Sequence, residues 1–205
     1  VHMDDYFYPY PELDQNKKEI PFPDDDTWAA YQKGGGKLAR DDWRRDAVNG
    51  FVKELYEQVH KAKPWVKVGI SPFGIWRPGH PEGIAGFDQY GKLYADAKLW
   101  LNEGWVDYWT PQLYWPIAQE KQSYPKLLDW WQKENTKGRL VVPGNYTGKY
   151  SAEEIVNQVK RTREMGAGGN VHFSMRSLTG EKIEKLKELY AEPAAMPAMP
   201  WLGKR

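Results

Sequence analysis

Short runs of apolar, β-branched and aromatic residues alternate along the chain with longer segments whose apolar positions recur at helical spacing. "VHMDDYF" (1–7) reads as the last half of a strand. "WVKVGISPF" (65–73), "WVDYWTPQLYW" (105–115), "RLVVPGNY" (139–146) and "NVHFSM" (170–175) read as four more. After the first strand a long polar loop is predicted, with "PFPDDD" and "KGGGK" as its turn signals. Asp41 or Asp42 can then cap a helix that turns Val48, Phe51, Val52, Leu55 and Val59 inward, and Pro64 stops it. A second helix is predicted over 90–103, with Leu93, Ala97, Trp100 and Leu101 on one side and Gly104 as its end. Leu127, Leu128 and Trp131 mark a third. Ser151 and Glu154 form a capping box for a fourth, which carries Ile155, Val156 and Val159, and residues 180–190 form the last. The tail "EPAAMPAMPWL" is proline-rich and should lie extended over the surface.

Five strands, each followed by a helix, imply an α/β fold with parallel strands and right-handed crossovers. The strands are apolar on both faces, as helices covering a sheet require. An open doubly wound sheet and a barrel both satisfy this pattern. The barrel is favoured because no glycine-rich phosphate loop follows a strand, and because polar or aromatic residues sit at nearly every strand's carboxyl end. A (β/α)₈ TIM barrel has eight units and about five are here, so three are expected to precede Val1. The chain reads as one domain over 1–205, the carboxyl-terminal part of such a barrel.

Composition narrows the function. Twenty-nine basic and 28 acidic side chains give a net charge of +1, which supplies no electrostatic reason for nucleic acid as a partner. No apolar run approaches the ~20 residues of a membrane helix. Without cysteine, disulfides and thiolate chemistry are excluded. The four histidines, at 2, 60, 80 and 172, lack ligand spacing, so neither a metal nor another cofactor is indicated. Eleven Trp and 13 Tyr in a chain of mean hydropathy −0.80 change the picture most. Many fall in loops, where rings can stack on the C–H faces of sugars; filling a core is their other use.

"VHMDDYFYPYP", "DWRRDAVNGFV", "VKVGISPFGIWRPG", "LYADAKLWLNEGWVDYWTPQLYW", "VVPGNY" and "AMPAMPWL" together resemble the glycosyl-hydrolase-like 10 family. The resemblance runs over essentially the whole chain, in order. It implies a bacterial (β/α)₈-barrel glycoside hydrolase acting on peptidoglycan glycan strands or a related polysaccharide. It also implies an exported protein, periplasmic or at the cell surface, and a Val1 that is a truncation or cleavage point. The remaining amino-terminal part of the barrel is then the expected partner. The runner-up function is a non-catalytic carbohydrate-binding barrel.

Glycoside hydrolysis usually needs two carboxyl groups, roughly 5–5.5 Å apart for retention or 6.5–9.5 Å for inversion. Asp4 and Asp5 are the catalytic candidates. Strand alternation lets only one of them face the barrel mouth and turns the other toward the following loop. The block also resembles the acidic "D-x-D-x-E" signature of chitinase-like barrels, with Asp4 nearest the middle carboxylate and Tyr6 or Phe7 where a glutamate would act. A second carboxylate is sought first in the strands before Val1, then at Asp88, then at Asp107, whose place at the start of its strand suits capping or packing better. Tyr6, Tyr8, Trp76, Arg77, Asp88, Gln112, Tyr114, Trp115, Asn145 and Tyr146 are the candidate sugar contacts, each at or just beyond a strand's carboxyl end. His172 reads as a satisfied core residue, Arg44 and Arg45 as partners of Asp41, Asp42 or Asp46, and Asp24–Asp26 as solvated loop charges.

Overall fold

Pro72, Pro111 and Pro143 stand at one common level, because Ile70, Trp109 and Val141 are register partners two residues before them. A proline has no N–H to donate, so each removes a rung from the ladder. Regular pairing is accordingly confined to short strands in the computed structural model, which describes residues 1–204. These are β1 (His2–Met3), β2 (Gly69–Ile70), β3 (Tyr108–Trp109), β4 (Leu140–Val141), β5 (Gly144–Asn145) and β6 (Val171–His172). The strand expected over 139–146 thus divides into β4 and β5 around Val142 and Pro143. Isolated parallel hydrogen bonds continue upward, from Gln112 N to Pro72 O at 3.0 Å and from Gly144 N to Pro111 O at 2.9 Å.

All pairs are parallel, in the order β1–β2–β3–β4 and β5–β6, and parallel bridges from Phe73 to Gln112 and Gln112 to Gly144 link the upper ends. Order in space follows order in the chain without the reversal of a doubly wound sheet. The fold is α/β, laid out as part of a barrel. β1 and β6 are its outer strands among the described residues.

The two faces of the strands carry different cargo. His2, Gly69, Tyr108 and Leu140 share one level, where the His2 ring stacks on Tyr108 at 5.8 Å and Nδ1 lies 3.0 Å from the Tyr108 hydroxyl. Gly69 is required there, since a Cβ would fall 2.1 Å from the Tyr108 ring. Ile70, Trp109 and Val141 point the other way, into a core with Trp100, Leu101, Leu127, Leu128 and Trp131.

The helices are α1 (Asp25–Lys33), α2 (Arg40–Ala62), α3 (Gln89–Lys92), α4 (Ala97–Glu103), α5 (Tyr124–Glu134), α6 (Ala152–Glu164) and α7 (Glu181–Leu189). α1 lies within the predicted loop. It buries no residue and is held by Trp28 and Tyr31 against Trp43 of α2, at 5.4 and 5.8 Å. Ala39, not Asp41 or Asp42, is the N-cap residue of α2. The helix predicted over 90–103 is interrupted: Asp88 caps α3 through Gly91 N, Asp96 caps α4 through Leu99 N, and Tyr94 between them has φ 52°. Gly104, with φ 72°, ends α4 as predicted. Phe51 is 55% exposed instead of inward, beside the outer strand β1, where it lines a cavity of about 440 Å³ with Met3, Phe7 and Val48. The tail crosses the amino-terminal end of the strands, with Gly203 N on Pro64 O and Trp201 Nε1 on Asp107.

Candidate active site

Alternation along β1 separates the two aspartates. Asp4 continues the inward face of His2, and its Oδ1 accepts from Gln112 Nε2 at 2.9 Å and from Asp5 N at 2.9 Å. The Gln112 amide also donates to Ser71 O at 3.0 Å, which fixes it above the inner face. Asp5 continues the outward face of Met3 and is only 4% exposed, its Oδ2 accepting the Tyr10 hydroxyl. A turn closed by Phe7 N on Asp5 O brings Tyr10 back over it. Burial pushes the Asp5 carboxyl above the usual carboxylate range; the Tyr10 hydrogen bond opposes that rise and the Asp4 charge adds to it. The Tyr10 hydroxyl is itself pushed far up, by burial first and then by its bond to Asp5, so it stays a donor.

Aromatic rings form an arc beside the pair. Tyr10 stacks on Phe87 at 5.1 Å, Phe87 meets Phe73 edge-on at 5.4 Å, and Phe73 meets Trp115 at 5.6 Å. From the far strands, Tyr114 lies 5.3 Å from Tyr146 and 5.9 Å from Phe173. Burial raises the Tyr114 hydroxyl pKa, and the Asp4 and Asp5 charges add to it, which sets this phenol in the field of the pair. Phe73, Phe87, Phe173 and Tyr10 were not singled out from sequence. Tyr10 stands in the same block as the aspartates, and Phe173 follows the alternation of β6; the contacts that give them meaning join distant units.

The structure brings Asp4, Asp5, Gln112, Tyr114, Trp115 and Tyr146 to one rim and places other candidates elsewhere. Tyr6 is 71% exposed and lies edge-on to Tyr10 at 5.6 Å. Tyr8 turns away from Asp5 toward Phe22 and Tyr94. Trp76 is a packing residue: its Nε1 donates to Asp96 and its ring stacks on Trp130. Arg77 lies over Tyr90 at 4.6 Å. The Asp88 carboxylate caps α3 and sits 3.9 Å from Arg77 Nε. Asn145 is fully buried, its amide donating to Gln158 Oε1 and its carbonyl accepting from Asn170; it belongs to the interior.

Asp107 lies at the opposite end of the strands. It accepts from Val68 N at 2.7 Å, Trp201 Nε1 at 2.8 Å and Tyr56 at 3.3 Å, with His60 Nε2 at 3.1 Å. His172 pairs with Thr147 at 2.9 Å, and burial lowers its pKa. Asp24 is buried rather than solvated: it holds Arg44 and Arg40, and these bonds keep its pKa at about 2. Arg44 therefore pairs chiefly with Asp24, whereas Arg45 pairs with Asp42 at 2.6 Å. No group of three or more His, Asp or Glu among the described residues could hold a metal ion, and no described helix is long and apolar enough to cross a membrane.

A carboxylate pair and an aromatic arc thus stand together at the carboxyl rim of the parallel strands. The chain belongs to the glycosyl hydrolase-like 10 family, which it matches over residues 1–162. It is 40% identical to glycosyl hydrolase YngK of Bacillus subtilis (strain 168), across 98% of this chain and 42% of that protein. It is 32% identical to glycosyl hydrolase DigH of Escherichia coli (strain K12), across 69% of this chain and 32% of that one. The chain thus spans less than half the length of these relatives. Among solved structures, bee venom hyaluronidase in complex with a hyaluronic acid tetramer aligns at a TM-score of 0.45 and 15% identity, covering 80% of this chain and 58% of the other.

Proposed function

We propose that this chain carries the catalytic rim of a glycoside hydrolase that cleaves a bacterial cell-wall glycan, peptidoglycan strands or a related polysaccharide. The observation that carries the reading is the Asp4–Asp5 pair, split between a mouth-facing carboxylate on Gln112 and a buried one on Tyr10. Two carboxyl groups in unlike environments are what acid/base chemistry on a glycosidic bond uses. Asp4 is the group at the reacting sugar. Asp5 stands behind it, its own carboxyl pKa raised chiefly by burial. Gln112 and Tyr114 face the sugar's hydroxyl or amide groups, and Trp115, Tyr146 and Tyr6 supply stacking surfaces.

The outer strands β1 and β6, with exposed Phe51, Val171 and Phe173 beside them, support a barrel completed by further strands outside this chain, and these would supply the other reacting carboxylate. A wall glycan lies outside the cytoplasm, so the protein is proposed to work exported, in the periplasm or at the cell surface.

Asp4→Asn and Asp5→Asn, made in the full-length protein, test this directly. Release of reducing ends from wall glycan should fall by roughly 10²-fold or more in each, with glycan binding retained. A parent that binds glycan and hydrolyses none would instead support the carbohydrate-binding reading.

A further inference from the structure

We propose that a second groove beside the Asp4–Asp5 mouth binds further sugar units of the same glycan chain, an inference that rests on the hydrolase reading above. The groove encloses about 570 Å³, inside the range of roughly 300–1,000 Å³ typical of ligand pockets. Tyr10 is the wall between the two sites: its hydroxyl donates to Asp5 while its ring also lines the groove. A polymer lying over the mouth would therefore run on into it.

The groove is pre-shaped. Tyr8 stands edge-on to Phe22 at 4.9 Å and to Tyr94 at 4.8 Å. Beneath them the Arg44 guanidinium lies 4.8 Å from the Tyr94 ring centre. The Arg44 side chain is 9% exposed, locked by Nε and Nη2 bonds of 2.7 Å to Asp24 and by Nη1 on the Tyr94 hydroxyl. Tyr94 holds its ring there from a left-handed backbone, a conformation that persists in a non-glycine residue only where the surroundings over-determine it. Both cations lining the groove are already paired, Arg44 with Asp24 and Lys92 with Glu19 at 2.6 Å. What remains on offer is aromatic and proline surface, with Ile20 and Phe22 exposed at 52% and 38%, and the carboxylates of Glu12 and Asp41. Such a surface suits a chain with C–H faces to stack and hydroxyl groups to donate, which is the chemistry of sugar rings.

The probe is a set of soluble bacterial wall glycan strands, graded from two to about ten sugar units, with the full-length protein. In the parent, kcat/KM should rise about tenfold from the shortest strand cleaved to the longest. Phe22→Ala and Ile20→Ser, both at surface positions, should remove most of that rise and leave the rate on the shortest cleaved strand unchanged. Equal losses at every length, or no loss at any, would overturn the site, as would tighter binding of a proline decapeptide than of the strands. A parent that cleaves nothing sinks the hydrolase reading instead. The groove is then judged by equilibrium binding of the same strands: weaker binding of long strands alone in the variants supports it, and identical binding overturns it.

Discussion

Asp107 and Asp5 are both buried carboxyl groups flanking parallel strands of one sheet, β3 and β1, and they are provided for in opposite ways. At the amino-terminal end, Asp107 is fully enclosed and receives three donors, the Val68 N–H, the Tyr56 hydroxyl of α2 and the Trp201 indole of the tail. At the carboxyl end, Asp5 is nearly as enclosed and receives one side-chain donor, Tyr10, with the charge of Asp4 at its shoulder. A buried charge with full hydrogen bonding is a structural tie, and a buried charge left short of donors is held in tension. The contrast separates an end of the barrel tied by hydrogen bonds from an end that keeps a buried carboxyl short of them.

Substitution should widen that difference, beginning with the greatest effect. Asp107→Ala would strand the Val68 N–H, the Trp201 indole and the Tyr56 hydroxyl, and should lower unfolding free energy by about 3–4 kcal/mol in urea titrations of the protein carrying this chain. Asp24→Ala leaves Arg44 buried without its partner and should cost roughly 3 kcal/mol by the same measurement. The sign of the pH effect follows from the lowered Asp24 pKa. Its stabilisation is complete above the unfolded carboxyl value near 4 and disappears as pH falls toward about 2, so wild type and variant should converge in acid.

Asp5→Asn should act in the other direction. A carboxyl whose folded pKa is raised loses stability as pH climbs through it, so at pH 8 the amide should leave the fold more stable than the parent while activity falls. A destabilised Asp5→Asn would remove the contrast altogether. The smallest effect belongs to Tyr10→Phe. Losing its hydrogen bond should move the Asp5 titration to higher pH, visible in the carboxyl carbon resonance, with melting almost unchanged; an unmoved titration would show that Tyr10 does not govern Asp5.

Local signals in the sequence carried far. Strand–helix alternation, the Ser151 cap on Glu154 N and the Gly104 stop need only neighbouring residues to be read, and all three stand in the structure. Alternation along "HMDDY" likewise separates the environments of Asp4 and Asp5. What escaped depends on partners far along the chain. Asp24 in "PFPDDD" has the look of a solvated charge until Arg40 and Arg44 arrive from the next helix. α1 lacks an inward apolar stripe and exists through rings on α2. Two caps within one run of helical spacing divided the 90–103 segment at Tyr94. Asn145 ends its strand as a ligand would, but the amides of Gln158 and Asn170 close over it.

The collar formed by Pro72, Pro111 and Pro143 has a consequence for how the rim could be tuned. Above it a side-chain clasp adds to the backbone bonds: the Gln112 amide holds a main-chain carbonyl of β2's extension and Asp4 in a single grip. A replacement at Gln112 would slacken one seam and set the Asp4 carboxylate loose in the same stroke.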